Sequence, residues 1–187
     1  MEFLAHLLCL FATLRGVSLA VNTRTIDNAW QFSVQIGYFQ KASEIINQEG
    51  VYYLVEGTEN LLYDCVAGTM TEWSVSDKAA IYKITYIKSS RKTEVTVSAN
   101  VAPDVRGQET VISMTIDGYG RGWKNHVLYE ENKCYILYNP DTEQFELWVS
   151  QNEVNYLPRC CEFAYWLATY KRNTHILYNK DRCKLVV

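Results

Sequence analysis

The sequence predicts a mainly β domain: eight strands in an antiparallel, up-and-down closed barrel, with a short helix before them and a longer helix packed outside after them. Three observations point there. Between residues 51 and 150 the hydrophobic period stays near two and is broken by short turn signals. Both flanks of that region show helical spacing instead. The chain also carries fourteen Tyr and five Trp in 187 residues, types that favour strands and line apolar pockets. An open sandwich would use the same elements. A barrel removes exposed strand edges, and the short, regular turn spacing favours it.

Taken in order, Thr25 and Asp27 are capping types before apolar positions at Ala29, Trp30, Phe32 and Ile36, which predicts a helix over about Asp27–Gly37. A second helical piece covers Ser43–Asn47. The predicted strands are Val51–Thr58, Tyr63–Trp73, Ala80–Lys88, Thr93–Val101, Glu109–Asp117, Trp123–Tyr129, Cys134–Asn139 and Glu143–Ser150. Turn signals separate them at Ser89-Ser90, Pro103-Asp104, Asp117-Gly118, Glu131-Asn132 and Asn139-Pro140. Leu157–Tyr170 returns to helical spacing, with Pro158 suited to a first turn. Ile176–Tyr178 and Leu185–Val187 could add a last short strand.

The length suits one domain, and no repeat, linker or low-complexity tract divides it. Phe3–Leu14 is an apolar run, and Ser18 and Ala20 are small residues placed for cleavage, so residues 1–20 are expected to be a signal peptide and 21–187 the folded domain. The run is too short for the roughly 20 apolar residues that a spanning helix needs. Of six cysteines, Cys9 falls in the leader and five remain, an odd number. In a secreted chain most should be paired, though vicinal Cys160 and Cys161 rarely pair with each other. Net charge is −3 with no basic face, which argues against nucleic acid.

Several short pieces carry a resemblance. They are Asp27-x-Ala29-Trp30, Val51-Tyr52-Tyr53, Cys65-Val66, Val127-Leu128-Tyr129 with Cys134, Tyr138, Glu146-Leu147-Trp148, and Pro158-x-x-Cys161. In this order and spacing, from Asp27 to Cys183, the chain resembles the histamine-binding salivary lipocalins of ticks. The resemblance implies a lipocalin barrel with disulfides Cys65–Cys183 and Cys134–Cys161. Cys160 lies outside that pattern, as a free thiol, an intermolecular link or a buried inert thiol. The amine binders of that family use carboxylates inside an aromatic-lined barrel. Physically, a cation entering a low-dielectric cavity needs a fixed anion and aromatic faces in place of its water. Glu146 is the position where such a carboxylate is kept. The position after the strand cysteine is Tyr135 here, and the loop Gly57–Asp64 is short and lacks tryptophan, so at most one amine site is expected.

Glu146, Trp148, Tyr53, Tyr135 and Trp123 are the candidate ligand-binding residues, with Tyr82, Tyr86 and Tyr129 as further wall candidates. Periodicity alone would turn Glu146 outward, since Phe145, Leu147 and Val149 form the more apolar face. The resemblance turns it inward.

No catalytic set, metal-ligand spacing or phosphate loop is found. His126 and His175 have no ligating partner at the required spacing, and Gly118–Gly122 is followed by no helix. The expectation is therefore a secreted, extracellular, monomeric carrier with no enzyme activity, cofactor, nucleic-acid partner or membrane. It would sequester a host small-molecule mediator in tick saliva, histamine or a related biogenic amine such as serotonin ahead of a lipid mediator, and so help evade the immune response. An eicosanoid or fatty-acid carrier and a protein-binding inhibitor acting through the loops are the alternatives.

Overall fold

The computed structural model describes residues 39–183, apart from 60, 62, 121 and 132. The expected signal peptide, the Asp27–Gly37 helix and the Leu185–Val187 strand lie outside the described residues. A short helix α1 (Ala42–Ile46) precedes eight strands: β1 (Val51–Gly57), β2 (Asp64–Ser74), β3 (Ala79–Lys88), β4 (Arg91–Ala102), β5 (Val111–Ile116), β6 (Gly122–Glu131), β7 (Cys134–Asn139) and β8 (Gln144–Ser150). Helix α2 (Arg159–Ala168), a two-residue strand β9 (His175–Ile176) and helix α3 (Lys180–Cys183) follow.

Each strand from β2 to β8 pairs antiparallel with the next, and β1 pairs with both β8 and β2, which closes the eight-stranded up-and-down lipocalin barrel. β9 adds to β1 through Glu56 and Gly57. The β3–β4 hairpin shows how local chemistry sets register. Lys88 pairs Arg91, so only Ser89 and Ser90 form the turn, and both take positive φ (49° and 61°). That is the left-handed pair a tight twisted hairpin requires.

Strand alternation builds two separate cores. Tyr52, Leu54, Tyr135, Leu137 and Trp148 point into the barrel, where Ile45 and Ile46 of α1 join them. Tyr53, Cys134, Ile136, Phe145, Leu147 and Val149 point out and are covered by Cys161, Ala164 and Tyr165 of α2. Thus β1, β7 and β8 are buried on both faces, while β4 alternates with an exposed outer face. Leu147 is 1% exposed and lies wholly in the outer core. Leu147→Ala is expected to cost about 2–5 kcal/mol of stability in urea unfolding, as other large-to-small core changes do. A cost under about 1 kcal/mol would mean that α2 does not pack there as described.

The disulfides Cys65–Cys183 and Cys134–Cys161 are both formed, with Cα separations of 5.0 and 6.5 Å. The first anchors the tail to β2, and the second staples α2 to β7. Cys160 is not a free thiol: none of the described cysteines is free.

Candidate binding cavity

The barrel encloses a cavity of about 350 Å³, near the small end of the roughly 300–1,000 Å³ common for ligand pockets. At its α1 end it is lined by Ile45 and Ile46. There the Tyr82 hydroxyl donates to the Ile45 carbonyl at 3.4 Å. At the opposite end Tyr63 and Tyr86 stand with ring centroids 5.1 Å apart.

The wall is mostly apolar, and its charge comes from β8. Glu146 pairs Leu137 on one side and Gly57 on the other, and it shares its face with Trp148. Both line the cavity. Trp148 Nε1 donates to Glu146 Oε2 at 2.8 Å, which fixes the carboxylate beside the indole. Among the described residues no Lys, Arg or His forms an ion pair with Glu146. Burial pushes its pKa up; the Trp148 hydrogen bond pulls it down and the nearby charge of Glu59 pushes it up again. The Glu146 charge in turn adds to the upward push on the Tyr63 and Tyr135 hydroxyls, both raised first by burial.

Aromatic rings continue from this acid into the barrel. Tyr135 stacks on Trp148 with centroids 6.0 Å apart and planes 16° from parallel, and Tyr52 follows at 5.3 Å from Tyr135. Such faces, next to a fixed anion, suit a desolvated cation. Gly68 keeps space open at this point. A Cβ there would stand 3.2 Å from Ile84 Cδ1 and 3.6 Å from Trp148 Cζ3. Gly68→Leu is therefore expected to fill the cavity and cut ligand affinity at least about tenfold while the far-ultraviolet β signal persists, since one lost close contact set of about 1.4 kcal/mol already gives that factor. Unchanged affinity would show that the guest sits elsewhere.

The candidate residues thus divide. Glu146, Trp148, Tyr135 and Trp123 are brought to one cavity, as are Tyr82 and Tyr86. Tyr53 is not. It faces outward, 4% exposed, with its ring 4.9 Å from that of Tyr178. The cause is the two-residue period: Tyr52 and Tyr53 are neighbours, and Tyr52 takes the inner face. Tyr129 is outside as well, stacked on Phe39 at 5.5 Å.

Two polar residues were not singled out from the sequence. Asn125 on β6 is 3% exposed and lines the cavity. Its signal was its spacing, two residues from Trp123 and two from Val127 on one face. Glu130 shares the inner face with its register partner Tyr135 but does not line the cavity. It accepts a 3.2 Å hydrogen bond from Gln48 Nε2, and burial raises its pKa. Glu130 also adds to burial in pushing the Tyr52 hydroxyl up to about 12.

Among the described residues one group, Glu131, Cys134 and Cys161, has metal-ligand spacing, but its two cysteines are bonded to each other and offer no thiolate. Among the same residues no helix is long and apolar enough to cross a membrane.

A family model described as tick histamine binding protein matches residues 30–185. A male-specific histamine-binding salivary protein of Rhipicephalus appendiculatus is 21% identical over 187 residues, covering 90% of this chain and 93% of that protein. Two solved structures share the fold. Japanin from Rhipicephalus appendiculatus bound to cholesterol has a TM-score of 0.59 at 13% identity, over 74% of this chain and 97% of that one. The AM182 serotonin complex has a TM-score of 0.57 at 19% identity, over 75% of this chain and 90% of that one. The match spans the whole barrel, from before α1 to beyond α3, and the chain belongs to the tick histamine-binding protein family.

Proposed function

We propose that the barrel binds one protonated biogenic amine, histamine or a close analogue, with Glu146 as its counter-ion and Trp148 and Tyr135 as its aromatic faces. The observation that carries this reading is an enclosed carboxylate, held by an indole N–H and, among the described residues, in no ion pair with a cation. Leaving such a group unpaired is costly, and a ligand ammonium would relieve that cost. The kinship with a salivary histamine-binding protein supports secretion into saliva and removal of a host mediator at the feeding site. Among the described residues one carboxylate lines the cavity, so one amine per barrel is expected. Calorimetry of the intact protein with histamine and with serotonin tests this, with a stoichiometry near one expected. Absence of binding heat for both, at temperatures on either side of 25 °C, would defeat it.

The apolar wall favours a second reading, a lipid ligand. A fatty acid would bring a second carboxylate toward Glu146, so a neutral lipid fits this reading better. Solvent extraction of the purified protein followed by mass spectrometry decides: a stoichiometric lipid supports it, and an empty cavity that takes up none excludes it.

A further inference from the structure

The cavity has a second polar pole. Asn125 is almost wholly buried, yet the hydrogen bond its side chain makes is from Nδ2 to the Met114 thioether, at 3.8 Å. A thioether is a weak acceptor, and an amide offers two donors and one acceptor. Buried amides normally find full partners within the fold, and this one lines the cavity instead.

The strand register separates it from the acid. Glu146 pairs Leu137, and Leu137 pairs Val127 on β6. Asn125 stands two residues along β6 from Val127, on the same face. Glu146 and Asn125 therefore sit two strands apart, roughly 10 Å between backbones at about 4.8 Å per strand, and are offset along the barrel as well. An ammonium seated against Glu146 and Trp148 leaves Asn125 to meet another part of the guest. Trp123, two residues further on, lines the same wall.

We propose that Asn125 is a second recognition group, and that the cavity selects an aromatic monoamine carrying a hydroxyl at the end remote from its ammonium. The inference rests on the amine reading above. The ammonium takes Glu146, the ring lies among the aromatic and aliphatic wall residues, and the hydroxyl meets the amide. A hydroxyl both donates and accepts, so it can satisfy Oδ1 and Nδ2 together.

Serotonin and tryptamine share one skeleton and differ in that hydroxyl, so calorimetry with the two on the wild-type protein is the test. Wild type is expected to favour serotonin about tenfold, the factor that one good hydrogen bond to a buried amide otherwise bonded to a weak thioether acceptor provides. In Asn125→Leu the ratio should fall to about one. Equal binding of the two amines by the wild type would overturn the role of Asn125 and leave the Glu146 reading standing. A wild-type preference that survives unchanged in Asn125→Leu would overturn it too. Binding of neither amine defeats the amine reading itself. The wild-type ratio needs no variant, so poor folding of Asn125→Leu would not shield the proposal.

Discussion

Glu146→Gln is expected to bind biogenic amines roughly thirtyfold to several thousandfold more weakly than the wild type. Removing one partner of a buried charge pair costs about 2–5 kcal/mol, because the other charge stays desolvated and unmatched. Gln keeps the shape and can still accept the Trp148 N–H bond, so the change isolates charge from packing. The same substitution should make the empty protein more stable near neutral pH. Burial holds the Glu146 pKa above the usual carboxylate range. Between its unfolded and folded pKa values the native state therefore carries more proton than the unfolded chain, and stability falls as pH rises across that window. Gln has no such loss. Its melting temperature should exceed that of the wild type by a few degrees at pH 7, and the gap should close as pH drops below the unfolded pKa. Amine affinity of the wild type should also weaken on acidification through the folded pKa, as the anion is protonated, and the variant should lack that dependence. Paired calorimetry and melting curves from about pH 4, near the ordinary carboxylate pKa, upward to about pH 8 provide the check. A variant that binds as tightly as the wild type, with the same pH profile, would show that the ligand's charge is met elsewhere.

The largest loss of stability is expected from Cys65→Ala combined with Cys183→Ala. This bond closes a loop of 118 residues, and removing a native disulfide typically costs about 2–5 kcal/mol, with longer loops toward the upper end. At about 2–4 °C per kcal/mol for a domain of this size, the melting temperature should fall by roughly 5–20 °C. Local structure adds to the effect. Asn179 Oδ1 accepts from the backbone N–H groups of Asp181 and Arg182 at the start of α3, and the Cys65 N–H donates to the Leu177 carbonyl at 3.3 Å. A tail cut loose from β2 would strain these bonds along with β9. Cys134–Cys161 closes only 27 residues, so its removal should cost less in the same thermal melt. A reversed order of the two losses would contradict the loop-length account.

How much of this was legible in the sequence depended on what covers each strand. Where the outer face meets water, alternation was readable: on β4, Val95 and Val97 line the cavity between polar neighbours, as their period-two spacing indicates. On β1 and β8 both faces are buried, since α2 and the tail cover the outside. Period two then says that neighbours part company but not which goes inward. Tyr53, a wall candidate as an aromatic on β1, lies on the outer face, and period two could not have told it from Tyr52. Phe145, Leu147 and Val149 suggested an inward apolar face for the same reason, and only the resemblance turned Glu146 inward. Strand ends were legible to within about two residues because Gly, Pro, Asn and Ser mark the turns. Asn125 was legible only through its spacing from Trp123 and Val127, since its residue type points the other way. A single Asn between Lys124 and His126 reads as solvated strand until the fold shows that the solvated side is the other one.

The place of Ile45 and Ile46 at one end of the cavity also has a kinetic meaning. Were a guest to enter and leave past Tyr63 and Tyr86, widening the gap between them would speed arrival and departure by equal factors. Were Glu146 and Trp148 to hold the guest, how long it stays could then be changed at those two tyrosines without changing how tightly it is held.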